Sequence, residues 1–328
     1  MERLDYPLTF KPIFKERVWG GRNLEKLYHK PLPQGPPIGE SWEISDRPGD
    51  VSVIANGPLA GRDLHWLMTH HREELLGAVQ PEQGRFPWLV KILDAEDKLS
   101  LQVHPPAHKA RELGGDPKTE MWYIAGATPD AALYVGLKHG VTRAEFEEKI
   151  QTGAVAECFH RVPVKRGDAM FLPSGRVHAI GAGLVIFEIQ QNSDTTYRVF
   201  DWNRKGLDGK ARDLHVKESL ASIDFEDFEP ELVAAASVEA GPLKRRALVR
   251  HGLFTVDLCS AISRDPVRVD RPELRVVGAL IGHLAVASPG GDVKLAAGEF
   301  CLIPASVGGV EIQPEPGAEF LMVGPGAK

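Results

Sequence analysis

The sequence predicts a mainly β protein: barrels built from many short strands, with a few short helices. Three observations carry this. The 33 glycines and 25 prolines are spread evenly through 328 residues. Between them lie runs of about five to eight residues rich in Val, Ile, Leu and Phe, the rhythm of a sandwich or barrel. One layout also occurs twice, since "GDAMFLPSGRVH" from Gly167 and "GEFCLIPASVGG" from Gly298 each set five residues between a glycine and a proline. Five positions past the proline the first copy has His178 and the second has Gly309. Two barrels with one turn in common, only one of them carrying the histidine, is the simplest account.

Along the chain, "RDLHWLMTHHREELLGA" places Leu64, Leu67, Met68 and Leu75 on one helical face. "PWLVKIL", "LSLQVH", "KTEMWYI" and "DAALYVGL" read as strands. "VTRAEFEEKIQTG" reads as a helix with Thr142 as N-cap, Glu145 three residues later and Gly153 as its stop. "AMFLP" and "LVIFEIQ" are strands again. Residues 224–244 then lose the strand rhythm and read as a connector, after which "LFTVDLCSAIS", "LRVVGALIG", "EFCLIPA" and "EFLMVG" resume it. A boundary near 240 gives domains 1–240 and 241–328.

The net charge of -6 argues against a nucleic-acid surface, which needs clustered Lys and Arg. No apolar run approaches the ~18 to 20 residues of a membrane helix. "MERLDYPLTFKPIFKERVWG" has no signal-peptide core. Cys158, Cys259 and Cys301 are too few, too scattered and odd in number for a disulfide framework. The expectation is a soluble, cytoplasmic protein with no nucleic-acid or membrane partner, and a monomer by default.

Gly-x5-Pro-x-Gly-x2-His, from Gly167 to His178, resembles the second sequence motif of the cupin barrels, a double-sheet jelly roll. The expected fold is therefore a double cupin. Pro173 and Gly175 make a sharp corner that returns His178 to the barrel mouth. A lone histidine of this kind is more often a core residue than a ligand, but this one has company. In "LSLQVHP", Ser100, Gln102 and His104 share one face of a strand. Glu120 stands at the entry to the next strand. Gln102, His104, Glu120 and His178 form a mixed N/O set that suits Zn2+, with Mn2+, Fe2+ or Co2+ as other fits. In "LVIFEIQQNSDTTYRVFDWNR", Glu188 alternates with apolar neighbours and has a candidate inward direction. Asp194, Arg198, Asp201 and Arg204 follow in what reads as a loop. Asp201 and Arg204 read as a salt bridge, and the Arg198 guanidinium as a group for phosphate or a developing oxyanion.

Taken together, "WGG", "IGESWEIS", "FPWLVKILDAEDKLSLQVHP", "KTEMWYI", "GDAMFLPSGRVHAI" and "QQNSDTTYRVFDWNR" make the chain resemble the short bacterial type I mannose-6-phosphate isomerases over nearly its whole length. The resemblance implies a zinc-dependent cupin enzyme that interconverts mannose 6-phosphate and fructose 6-phosphate. It implies metal ligands at Gln102, His104, Glu120 and His178. It implies an active-site arginine at Arg198, carboxylates at Glu188 and Asp194, and a lysine at Lys118. Ser100 and Lys91 match positions associated with the phosphate end. The large helical insertion of the longer members has no counterpart here, and the second barrel resembles the family's metal-free one.

The chemistry expected is proton transfer between C1 and C2 through an enediolate. Zn2+ would act as Lewis acid, Arg198 would balance charge, and Glu188 is the preferred base, with a zinc-bound water or Lys118 as alternatives. Lys91 or Lys118 would hold the phosphate. No organic cofactor is implied. Two other readings stand beside this one. Another metal-dependent cupin enzyme acting on sugars or sugar phosphates is disfavoured, in its dioxygenase form, by the Gln position and the lack of a His-x-His pair. A non-catalytic sugar-binding cupin would have a decayed ligand set.

Overall fold

A computed structural model describes residues 3–81 and 83–327. The chain runs β1 (Ile13–Gly21), α1 (Asn23–Tyr28), β2 (Ile38–Ile44), β3 (Asp46–Arg47), β4 (Asp50–Val51), α2 (Leu64–His70), α3 (Arg72–Leu76), β5 (Trp88–Ala95), β6 (Leu101–Val103), α4 (Ala107–Ala110), β7 (Glu120–Ala127) and β8 (Ala132–Leu137). It continues through α5 (Arg143–Thr152), β9 (Phe159–Pro163), β10 (Ala169–Leu172), β11 (His178–Ile180), β12 (Leu184–Gln191), β13 (Tyr197–Phe200) and α6 (Val216–Ser222). The remainder is β14 (Ser237–Ala240), β15 (Leu243–Arg250), β16 (Phe254–Ala261), β17 (Val267–Val269), β18 (Arg275–Ile281), β19 (His283–Ser288), β20 (Gly291–Ala296), β21 (Phe300–Ile303), β22 (Val310–Pro314) and β23 (Glu319–Pro325).

Two pairs of antiparallel sheets result. The first pair has strand orders β1-β2-β5-β12-β7-β10 and β13-β6-β11-β8-β9. The second has β14-β15-β16-β23-β18-β21 and β17-β22-β19-β20. The second repeats the first strand for strand, without a partner for β13. The fold is mainly β, as the sequence predicts.

Alternation explains how the layers stack. Every residue of β12 is buried. Leu184 and Ile186 face the first barrel's interior with Trp122, Leu93 and Ala95. Val185, Phe187 and Ile189 face the other way, into a core shared with Val256, Val276, Leu302, Leu321 and Val323 of the second barrel. The two six-stranded sheets therefore stand back to back, and the polar residues of β12 that share a face with Ile186 are aimed into the barrel.

The "RDLHWLMTHHREELLGA" stretch departs from expectation. Leu64, Leu67, Met68 and Leu75 are all buried, but the segment is two short helices rather than one. His71 leaves helical backbone at φ -134°, and its ring turns to Glu74 at 2.5 Å. Asp63 caps the first helix through the Trp66 amide at 2.7 Å. α5 follows its signals, with Thr142 accepting from the Glu145 amide and Gly153 closing the helix in the left-handed region. The 224–244 stretch is a connector only in its first half. β14 pairs with β15 from Ser237↔Arg246 to Ala240↔Leu243. All four β14 residues are exposed on a sheet edge, which is why no apolar alternation marks them. The three cysteines are buried and free. Among the described residues no helix is long and apolar enough to cross a membrane.

Candidate metal centre

The centre lies where β6, β7, β11 and β12 bring their ends together. His178 starts β11 and pairs in register with Gln102 of β6. Glu120 starts β7 and pairs with Leu172 and with Gln190. The Pro-Gly corner places His178. Gly175 takes φ 95°, a left-handed value that suits glycine, and its amide donates to the His104 carbonyl at 2.9 Å. The two histidine-bearing segments are thus tied together by backbone.

Both imidazoles are oriented alike. His104 Nδ1 donates to the Thr195 carbonyl at 2.7 Å, and His178 Nδ1 donates to the Arg176 carbonyl at 2.9 Å. That leaves each Nε2 as a lone-pair donor aimed at Glu120, at 3.6 Å for His104 and 3.4 Å for His178. A second hydrogen bond that fixes tautomer and ring is what a metal-binding histidine needs. Burial, then the Lys118 charge, hold His104 well below its usual range. Burial brings His178 down to about 3, against the pull of the Arg176 carbonyl. Both rings are neutral at pH 7.

Burying these groups is costly unless something engages them. His104 Nε2 and both Glu120 oxygens are buried without a hydrogen-bond partner. Lys118 Nζ stands 3.2 Å from Glu120 Oε2, the ion pair that balances the carboxylate on one side. Gln102 Nε2 lies 3.2 Å from His178 Nε2, and a half-turn of its amide would present Oε1 instead. The ligand atoms of His104, Glu120 and His178 all fall within 4.8 Å of one another. This trio fits a divalent ion, with Gln102 beside it as a fourth oxygen or nitrogen.

A cavity of about 610 Å³ opens from the centre, within the usual range for a small-molecule site. Lys91, Ser100, Gln102, Lys118, Glu188, Asp194 and Arg198 line it. Seven of the ten site residues singled out in the sequence thus line this cavity, and the other three, His104, Glu120 and His178, lie directly behind Gln102 and Lys118. One placement differs, because Arg198 is on strand β13, paired with Gln102, rather than in a loop. Its Nη1 donates to the Asp213 carbonyl at 2.8 Å, and Nε is buried without a partner. The salt bridge at the end of this segment is present and larger than expected, since Arg204 and Arg212 both grip Asp201.

Glu188 is 3% exposed. Its Oε2 accepts from Trp122 Nε1 at 2.8 Å, and Oε1 lies 3.6 Å from Lys91 Nζ. Burial, and then the neighbouring Glu120, push its carboxyl above the ordinary range. Burial alone would lower Lys118, but Glu120, Glu188 and Asp194 outweigh it and raise its ammonium above the usual range. Lys118 is a fixed cation. Sequence reasoning missed Arg17, Glu40, Trp42 and Arg212. Glu40 stands 3.7 Å from Lys91 Nζ and accepts from Arg17 Nε at 2.8 Å and Trp42 Nε1 at 2.5 Å. Lys91 lies over the Trp42 ring at 4.7 Å. The one available signal was the Glu40/Trp42 alternation in "IGESWEIS", which does not say which strand lies alongside.

A family model for the phosphomannose isomerase type I catalytic domain matches residues 8–124. Mannose-6-phosphate isomerase ManA of Bacillus subtilis is 36% identical over 312 residues, covering 94% of this chain and 96% of the relative. The chain belongs to the type I phosphomannose isomerase family. A mannose-6-phosphate isomerase of Streptococcus mutans is 38% identical over 251 residues, 76% of this chain and 77% of its own length. The crystal structure of the Bacillus subtilis mannose 6-phosphate isomerase superposes with a TM-score of 0.88 at 28% identity, covering 97% of this chain and 99% of that one. A variant phosphomannose isomerase of Salmonella typhimurium shares the fold at a TM-score of 0.76 and 17% identity, covering 98% of this chain and 100% of that one. In this member of the phosphomannose isomerase family, His104, Glu120 and His178 of the first barrel form a cluster that could hold a metal ion.

Proposed function

We propose that the chain interconverts mannose 6-phosphate and fructose 6-phosphate, with one Zn2+ held by Gln102, His104, Glu120 and His178. The observation that carries this reading is the buried His104–Glu120–His178 trio, with His104 Nε2 and both Glu120 oxygens lacking hydrogen-bond partners, directly behind the Gln102 and Lys118 side chains that line a cavity of about 610 Å³. Bound there, the ion supplies Lewis acidity toward the substrate's carbonyl and adjacent hydroxyl. The chain's own residues do the rest. Glu188 takes the proton from C2 of the aldose and returns it at C1, through an enediolate, while the proton of the C2 hydroxyl passes to the C1 oxygen. Burial, and then Glu120, raise its carboxyl above the ordinary range, which makes it a stronger base than an exposed carboxylate. Arg198 balances the developing negative charge. Lys118 stays protonated and, beside Asp194, orients the sugar. Ser100 and Lys91 take the phosphate end, with Arg17 and Arg212 adding positive charge to the same cavity.

The same reading makes 1–240 a catalytic barrel and 241–328 a metal-free one, in a cytoplasmic monomer with no nucleic-acid or membrane partner. No strand is shared between the two sheet pairs, and β14 pairs with the second, which favours a cut just ahead of Ser237. The test is to incubate purified protein with mannose 6-phosphate and follow fructose 6-phosphate, before and after chelation and after zinc restoration. Turnover lost on chelation and regained with zinc is the expected result. No turnover from a folded, zinc-loaded sample overturns it.

A further inference from the structure

The two barrels match in register, residue by residue. In the first, one row across the six-stranded sheet runs Trp42–Lys91–Glu188–Trp122–Met170. In the second, the matching row runs Ala247–Asp257–Met322–Val277–Cys301. Met170 and Cys301 each stand three residues after the repeated glycine, so the sequence repeat and the strand pairing give the same alignment. On either side of that row, Glu120 pairs with Leu172 as Arg275 pairs with Ile303, and Glu40 pairs with Leu93 as Arg245 pairs with Cys259. Glu40, Lys91 and Glu120 of the first barrel thus correspond to Arg245, Asp257 and Arg275 of the second. The sign of charge is reversed at all three positions. Glu188 and His178 have become Met322 and Gly309.

These side chains share a strand face with the second barrel's interior residues Leu243, Cys259 and Val277. Asp257 is gripped by Arg245 at 2.7 Å and by Arg250, and Arg275 reaches Glu273 at 2.8 Å. Arg271 is also within electrostatic reach of Arg275. The three guanidinium groups of Arg245, Arg250 and Arg275 against the two carboxylates of Asp257 and Glu273 leave an excess of one positive charge. Arg275 Nε is buried without a hydrogen-bond partner. Arg245 and Arg250 are 41% and 47% exposed, so a solute can reach the cluster. The tryptophans of the first barrel's row are Ala247 and Val277 here, and the Gln190 position is Gly324, beside the Arg275 guanidinium.

We infer that this end of the second barrel is an anion site for inorganic phosphate or a phosphate monoester. Guanidinium groups bind such tetrahedral anions through paired hydrogen bonds, and here they are assembled beyond the needs of their own carboxylates. The site stands whichever reaction the first barrel catalyses.

Equilibrium dialysis tests it, with inorganic phosphate in one arm and sorbitol 6-phosphate, which has no carbonyl to isomerise, in the other. The R245Q/R275Q variant binds one phosphate fewer per chain than the wild type, with unchanged circular dichroism and isomerase turnover. Should the double variant not fold, the R245Q variant, changed at a half-exposed position, shows one affinity weakened at least tenfold. If sorbitol 6-phosphate also loses one site in the variant, the ligand is a phosphate monoester. If only inorganic phosphate does, the ligand is the free anion. The same stoichiometry and affinities in wild type and variants, in both arms, overturn the inference.

Discussion

At the scale of single residues, the two kinds of group in the site make separable predictions. His178 presents Nε2 toward Glu120 and has its other nitrogen fixed by a carbonyl. Replacing it as His178→Gln removes a ligand nitrogen without removing bulk. Bound zinc then falls well below one per chain by elemental analysis, and turnover falls with it by at least about a hundredfold. Because a glutamine oxygen can itself ligate, His178→Ala is the companion variant, and a full complement of zinc in both would take His178 out of the ligand set. Glu188 should behave differently. It is oriented by Trp122 rather than by the histidines, so Glu188→Gln leaves zinc content unchanged while kcat falls by ~10²–10⁴, the usual worth of a general base. Normal kcat in that variant returns the proton transfer to another group.

At the scale of elements, the strands that carry the site also carry a stability device. Glu40 on β2, Lys91 on β5 and Glu188 on β12 are neighbours across one sheet. Burial works against the Glu40 carboxylate, but Lys91 and Arg17 outweigh it and bring its pKa from 4.5 down to about 2. A carboxylate whose pKa is lower in the folded chain stabilises fully above its unfolded value and loses that contribution as pH falls toward the folded one. Glu40→Gln should therefore cost about 3 kcal/mol at pH 7, and the gap to the wild type should narrow from about pH 4.5 downward. Urea melts at pH 7, 5 and 3 measure it, and a gap constant across that range is the contrary result. None of this was legible in "IGESWEIS". The sequence places Glu40 and Trp42 on one face of a strand but is silent on which strand lies beside it. The clustering of His104, Glu120 and His178 was legible because Gln102 and His104 alternate on one strand and the corner at Pro173 and Gly175 is written in the residues. β14 was not, since an edge strand with all four residues exposed has no reason to alternate. The helix at 64–76 was misread for a related reason. The spacing of its leucines survives an interruption at His71, so periodicity alone does not report the break.

At the scale of the whole molecule, the decisive feature is that the barrels share a core. Phe187 of β12 meets Phe300 of β21 with ring centroids 5.5 Å apart, and Leu8 near the N-terminus pairs with Leu302 through two backbone hydrogen bonds of 2.8 Å. Neither six-stranded sheet can expose its outer face without leaving the other's apolar side bare, so the two barrels should unfold as one cooperative unit. The distribution of tryptophan makes this measurable. All six tryptophans (Trp19, Trp42, Trp66, Trp88, Trp122 and Trp202) lie before the second barrel begins. Tryptophan fluorescence therefore reports chiefly the first barrel, with Trp88 also touching the second, where its Nε1 donates to the Leu253 carbonyl at 3.2 Å. Phe300→Ala, made in the second barrel, opens a cavity in the shared core and should cost ~3–5 kcal/mol. If the core couples the barrels, the tryptophan transition shifts down by as much as the calorimetric one, and calorimetry shows a single peak in wild type and variant. An unmoved tryptophan transition beside a second, earlier calorimetric peak would mean that the barrels melt separately. The second barrel would then be a neighbour of the catalytic one rather than part of what holds its sheet in place.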